Sequence, residues 1–361
     1  MTPATDIKPG TPVIGAAQLR LLDRLCTACA VSGDEGEVRK IVLEQVRPHA
    51  AEVSVDALGN VLAVKPGQGD NRLKVMLAAH MDEIGFILVS DEEDGYFRFD
   101  SVGGIDVRQL PGKPVWIGKD HVAGVIGAKP IHLTTEEERN HSITLDNLRI
   151  DVGSGNNGVK VGDRATFATP FSRIGPSIRA KALDNRFGVA TLIELLKHAP
   201  PNIDLLAAFT VQEEVGLRGA QVAAYALNPD IAIVLDSTPA NDLPSWDGLE
   251  NSRYNTRLGA GPAIYVADSA TLSDPRLVRF MIDTAESVGL PYQIRQPGGG
   301  GTDAGAIHKQ RAGIPSISIS VPGRYAHTAA SIARLADWKN TLALVYTALC
   351  RVSPEILAQD R

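Results

Sequence analysis

Three cysteines, a small aromatic fraction, no surplus of basic residues and no long apolar run limit what this chain can be. Cys26, Cys29 and Cys350 are an odd and sparse set, which excludes a disulfide framework and leads us to expect a reducing, cytoplasmic location. The single C-x-x-C pair, Cys26 to Cys29, has no second pair to complete a four-cysteine zinc site. It reads as two small buried thiols on one face of an amphipathic helix. The formal net charge of -6 offers no basic surplus to neutralise phosphates, so neither nucleic acid nor an anionic membrane is an expected partner. Apolar runs such as Ile231 to Leu235 are strand-sized, too short to span a bilayer. The start, Met1 to Lys8, lacks a basic segment followed by an apolar block, so no secretory leader is expected. Aromatic residues are only 5%, and no spaced carboxylate pair with aromatic platforms stands out for glycoside hydrolysis.

Against these absences stands an ordinary globular composition, 44% hydrophobic and 22% charged, in 361 residues. That length suits one large domain plus a smaller one. Helix periods over about 16–30 and 34–46 precede strands near Val53 and Val61, then a buried strand 74–79 that ends at His80. From Ile84 to Phe171 short β-type runs alternate with Gly and Pro turns and no helix period stands out, the texture of a small all-β module. Alternation resumes with helix 185–198, strand 205–211, helix 217–226, strand 231–235, helix 275–288, strand 316–321 and helix 335–352. The expected fold is therefore α/β: a mixed sheet with helices on both faces, built from 1–83 and 173–361, with residues 84–172 inserted as a β domain of barrel or PDZ-like type.

Two glycine clusters resemble nucleotide loops only superficially. Gly153–Gly158 fits G-x-G-x-x-G, but strand and turn residues follow it where a helix is required. Gly298–Gly301 is not followed by Gly-Lys-Ser/Thr, and reads as a loop near the site.

The chemistry concentrates where buried strands end. Glu213 and Glu214 follow the apolar run Leu205 to Val211, and two adjacent like charges at a sheet edge are costly without a nearby cation or a shared proton. His80 and Asp82 follow strand 74–79, Asp236 follows strand 231–235, and His327 follows strand 316–321 in the loop 322–327. Asp184 precedes a helix and can reach the same edge. In open α/β sheets ligands bind outside the strand C-termini. Any one of these residues could be a polar strand end or a helix cap. Their coincidence at four strand ends is what argues for a site. Two imidazoles and three carboxylates suit zinc, cobalt or manganese. Five ligands exceed what one catalytic zinc takes, and fit two metals if one carboxylate bridges.

With these residues assembled, the chain resembles the M42 family of dinuclear metallo-aminopeptidases, the glutamyl and tetrahedral aminopeptidase group. The matching segments are His80–Phe86, Lys181–Arg186, Gln212–Ala220, Val234–Asp236, Gly299–Ala304 and Arg324–His327, in order along nearly the whole chain. The resemblance implies two divalent ions per subunit, zinc or alternatively cobalt, one held by His80 and Asp236, the other by Glu214 and His327, with Asp184 bridging. It implies Glu213 as general base and acid, and Asp82 as the carboxylate that orients His80. It further implies peptide substrates with a free N-terminus, and a β domain that pairs subunits in dimers that build a dodecameric tetrahedron. Dinuclear N-acyl amino acid deacylases and carboxypeptidases share the Glu-Glu pair and form the alternative. A non-catalytic scaffold is a third reading, which a broken ligand set would favour. For substrate selectivity Arg218 and Arg324 are candidate pocket cations, and the roles of Asp303 and His308 are left open.

Overall fold

The computed structural model describes residues 11–155, 158–244 and 256–361. The leader reading of Met1–Lys8, and Asn156 and Asn157 of the Gly153–Gly158 motif, lie outside them.

The chain opens with helices α1 (Ala16–Thr27) and α2 (Gly36–Val46), then strands β1 (Glu52–Val55), β2 (Val61–Lys65) and β3 (Leu73–His80). Helix α1 stops before Cys29, so only Cys26 of the C-x-x-C pair is a buried helical thiol; Cys29 is half-buried beyond the helix end. Next come β4 (Gly85–Asp91), β5 (Tyr96–Val102), β6 (Pro114–Ile117), β7 (Val122–Ala128), the short helix α3 (Glu136–Asn140), β8 (Leu148–Asp151) and β9 (Arg164–Phe167). These six strands close into a barrel in the order β4-β5-β8-β7-β6-β9. Its core packs Phe86 edge-on against Phe99 and Phe167. No helix was expected in this stretch; α3 forms because Thr135 and Glu138 make a capping box at its start.

Beyond the barrel follow β10 (Ser172–Ile174), β11 (Ser177–Ala180), α4 (Leu183–Lys197), β12 (Ile203–Thr210), α5 (Arg218–Leu227), β13 (Ile231–Pro239), β14 (Ala263–Tyr265), α6 (Pro275–Ser287), β15 (Gln293–Arg295), α7 (Ala304–Ile307), β16 (Ser316–Arg324), β17 (Ser331–Arg334), α8 (Leu335–Arg351) and α9 (Glu355–Ala358). The body sheet runs β1-β2-β12-β3-β13-β16-β17-β11-β10, with β14 and β15 paired off β16. Its centre, β12-β3-β13-β16, is parallel, and antiparallel strands flank it. The architecture is thus a mixed α/β body with a separate closed barrel.

Alternation along the strands sends side chains to two helical layers. Leu77, Ala79, Ile233 and Leu235 join a core with α1, α4 and α8, whereas Met76, Ala78, Ala232 and Val234 pack under α5 and α7. The second layer is rich in alanine, including Ala208, Ala220, Ala223 and Ala224, which lets α5 approach the sheet closely. That approach fixes the loop carrying Glu213 and Glu214 immediately before α5. Two strands are longer than their apolar runs suggest. β13 continues past Leu235 to Pro239, and β16 past Val321 to Arg324, because the two remain paired with each other up to Pro239 and Gly323.

Candidate active site

Four parallel strands deliver the site. His80 is the last residue of β3, Asp236 lies within β13, Glu213 and Glu214 follow β12, and His327 follows β16. Asp184 stands at the start of α4, where the chain leaves helical geometry at Asp184 and Asn185. Asn185 holds that corner: its amide donates to the Leu235 carbonyl at 2.8 Å and its Oδ1 accepts from Gly188 N–H at 2.9 Å.

The Asp184 carboxylate faces both imidazoles. Oδ1 lies 3.2 Å from His80 Nε2, and Oδ2 lies 3.6 Å from His327 Nε2. Asp236 Oδ1 is 3.6 Å from His80 Nε2, and Glu214 Oε2 is 3.4 Å from His327 Nε2. Two groups of donor atoms result, His80–Asp184–Asp236 and Asp184–Glu214–His327, each with its atoms within 4.8 Å of one another.

The other ring nitrogens are anchored by protein. His80 Nδ1 faces the Asp82 carbonyl at 3.2 Å and the Asp82 carboxylate at 3.4 Å. His327 Nδ1 faces the Gly104 carbonyl, just beyond barrel strand β5, at 2.9 Å. A proton on each Nδ1 leaves Nε2 free to bind a cation among the carboxylates, or to carry a second proton in its place. Asp82 does more than orient an imidazole: its Oδ1 and Oδ2 also accept the backbone N–H groups of Glu213 and Glu214 at 3.0 and 3.2 Å, and Ser32 donates to it at 2.6 Å. The Glu-Glu loop is locked at its far end by Asn60, whose side chain bonds Val211 N–H and the Gly219 carbonyl. A Cβ on Gly219 would lie 2.3 Å from Asn60 Oδ1 and 2.4 Å from the Val211 carbonyl, so the turn requires glycine there.

The charges are out of balance in a way a cation would relieve. Burial, together with repulsion from Asp184, pushes Glu214 up to about 8. Burial raises Asp236 to about 6, with Asp184 adding to it. Glu213 is driven well above the usual carboxyl range by burial and by Asp236, Asp303 and Glu214, against the opposing pull of His80. Conversely, hydrogen bonding to Asp184 and the charge of Glu214 lift His327 to about 9. Without cations, protons on the imidazoles and carboxyls do the neutralising. The N/O donor set fits borderline divalent ions.

Beneath the site lies a buried ionic group to which the sequence reading assigned no role. Glu83 receives Lys181 at 2.8 and 2.9 Å, Arg186 at 3.0 Å and, from barrel strand β9, the Thr166 hydroxyl at 2.9 Å. Lys181 and Arg186 hold the Glu83 carboxyl below its usual range although burial opposes them. The signal was present in the charged residues flanking His80 and Asp184. Asp303 is buried behind the site, bonded to Thr210 at the end of β12. His308 lines a different cavity. Arg324 is spent on Asp242, at 2.7 and 2.8 Å.

A cavity of about 560 Å³ opens over the two donor groups, with Glu213, Tyr265, Arg295, the glycine loop 299–301 and His327 in its wall. Arg218 and Arg324 are not among its lining residues; Arg295 is. A cavity joining a paired set of cation donors to a proton-holding carboxyl defines the class of metal-dependent hydrolases.

Comparison with known proteins narrows that class. Residues 59–344 match the M42 glutamyl aminopeptidase family, and the chain belongs to that family of peptide-bond hydrolases. It is 31% identical to the lysyl aminopeptidase of Pyrococcus furiosus, covering 92% of this chain and 97% of that protein. It is equally 31% identical to the glutamyl aminopeptidase of Lactococcus lactis subsp. cremoris, covering 91% and 95%. Among solved structures, a TET aminopeptidase from a marine sediment Thaumarchaeota archaeon superposes with a TM-score of 0.89 at 34% identity, over 95% and 99% of the two chains. The TET1 peptidase of Pyrococcus horikoshii, which can assemble into a tetrahedron or a large octahedral shell, gives 0.81 at 31% identity, over 93% and 100%.

Proposed function

We propose that the chain is an aminopeptidase with two divalent ions, held by His80 and Asp236 on one side and by Glu214 and His327 on the other, with Asp184 shared. One observation carries this reading: the two oxygens of Asp184 face different imidazoles, at 3.2 and 3.6 Å. Zinc suits the donors best, with cobalt as the alternative. Such ions, when bound, would polarise the scissile carbonyl and lower the pKa of a bound water.

The chain's own residues supply the rest. Glu213 lines the cavity and has no ligand role, so its carboxylate takes the proton of the attacking water and passes it to the leaving amine. Asp82 is a positioning residue that ties the His80 ring to the Glu213–Glu214 backbone. The acidic wall attracts the protonated N-terminus of a peptide. Arg295 is 5% exposed, and among the described residues no carboxylate pairs with it. Its guanidinium donates to the Ala267, Gln296 and Gly299 carbonyls and lies over the Tyr265 ring, and its charge, without a carboxylate partner, favours an acidic first side chain. The barrel, residues 84–172, serves to pair subunits in a homo-oligomer, which supports a tetrahedral dodecamer; it exposes Val89, Tyr96, Val125, Ile131, Leu133 and Val161. A monomer in sedimentation at micromolar concentration would reject that role.

Activity on a panel of aminoacyl-p-nitroanilides, free and N-blocked, separates the readings. Cleavage of blocked substrates alone would favour a deacylase, and no chelator-sensitive turnover at all would favour a scaffold. Glu213→Gln should retain both metals and lose roughly 10²–10⁴-fold in kcat. Full activity in that metal-loaded variant rejects the assignment.

A further inference from the structure

A second kind of donor cluster lies away from this cavity, where the barrel meets the helices of the body. Glu37, in the first turn of α2, places Oε1 2.6 Å from His121 Nε2 and accepts the Cys29 backbone N–H on Oε2 at 3.0 Å. The Cys29 sulfur, a Glu37 oxygen and a His121 ring nitrogen all lie within 4.8 Å of one another. The three residues come from three separate segments: the chain beyond α1, the start of α2, and the turn between barrel strands β6 and β7. The His121 ring is held by stacking on Trp116, with centroids 5.7 Å apart and planes 13° from parallel.

We propose that Cys29, Glu37 and His121 form a third metal site, separate from the catalytic pair, which binds one zinc-class ion and staples the barrel to the body. The donor chemistry selects the ion. One sulfur, one imidazole and one carboxylate suit borderline and soft divalent ions, and exclude calcium and magnesium, which take oxygen ligands. Zinc bonds of about 2.0–2.3 Å place tetrahedral donors roughly 3.3–3.7 Å apart, so movements of about an ångström, which open the 2.6 Å Glu37–His121 contact and draw in the more distant donors, fit the cluster around one ion. Glu37 and His121 are 37% and 35% exposed, which gives the ion an entry path and leaves a fourth position for water. Loading releases the Cys29 thiol proton to solvent. Burial pushes the Cys29 thiol up to about 12 without an ion, which rules it out as a free thiolate nucleophile. A coordinated cation deprotonates a thiol outright.

Cobalt distinguishes this site from the catalytic one, because none of His80, Asp184, Glu214, Asp236 and His327 carries sulfur. The whole protein, stripped with chelator and reloaded with cobalt, should show a thiolate-to-cobalt charge-transfer band in the near ultraviolet. Cys29→Ser and His121→Ala should each lose that band and bind one metal equivalent fewer than the wild type, with aminopeptidase activity retained. Cys350→Ser should keep the band. If Cys29→Ser fails to fold, Glu37→Gln tests the same site with the thiol intact. A wild type without the band, or a band that survives Cys29→Ser, overturns the proposal whatever the outcome at the catalytic centre.

Discussion

The two halves of the candidate metal cluster are built to different standards. His80 is 2% exposed and both its ring nitrogens face groups of the body, Asp82 on one side and Asp184 with Asp236 on the other. His327 is 42% exposed, sits on a loop, and has its outer nitrogen held by Gly104, at the edge of the barrel. One half is thus finished within the body alone, while the other needs the barrel to complete it. Near-identical donors, an imidazole and two carboxylates in each, therefore need not bind alike. The buried half should hold its ion tightly and the open half should exchange it.

Imidazole removal tests that contrast most directly. In metal-free protein His80→Ala should cost about 3 kcal/mol, because it strips buried carboxylates of their partner. His327→Ala should cost less, about 1 kcal/mol, because the imidazole is 42% exposed and solvent screens its pairing with Asp184 and Glu214. Urea denaturation of both variants measures the difference, and equal losses would break the comparison.

A subtler change targets the barrel's grip. A Cβ at Gly104 would lie 3.3 Å from His327 Nδ1. Gly104→Val should weaken the open half by roughly 10–100-fold in metal affinity, the range for losing a partner that orients a ligand, and leave the tighter equivalent unchanged. Isothermal titration of the Cys29→Ser background resolves the two equivalents of this cluster; a shift in both would show that the halves are not independent.

The smallest effect is on pH dependence. His327 is lifted from 6.5 to about 9, so in metal-free protein its contribution to stability is complete below pH 6.5 and lost as pH rises through 9. Glu214, raised from 4.5 to about 8, acts in the same direction: between those values only the folded state keeps its proton, so folding weakens as pH rises. Chelated enzyme should melt at a lower temperature at pH 9 than at pH 6.5, and metal should flatten the slope. A metal-free Tm that climbs with pH contradicts both signs.

What could be read beforehand was whatever side chains announce. His80, Glu213 and Glu214 were visible because a buried apolar run ends in charge. Asp236 and His327 were found through the same pattern, although their strands run on by pairing to Pro239 and Arg324, a property of two strands together and of neither alone. Gly104 could not be found, since it acts through a carbonyl that every residue possesses. Arg295 was not singled out because nothing local distinguishes it from Arg218 or Arg324; only the fold shows that Asp242 occupies Arg324 and that the cavity wall includes Arg295 rather than Arg218. Cys29, Glu37 and His121 are brought together by the docking of the barrel, which no spacing rule encodes.

The Glu83 group bears on how the protein is made. A ribosome releases Glu83 before the barrel, Thr166 with the barrel's last strand, and Lys181 and Arg186 only afterwards. A nascent chain therefore carries an unmatched acid until the whole insert has been synthesised and its neighbours have returned to the body. Completion of the insert is in effect a checkpoint: until it is passed, the floor beneath His80 and Asp184 cannot set.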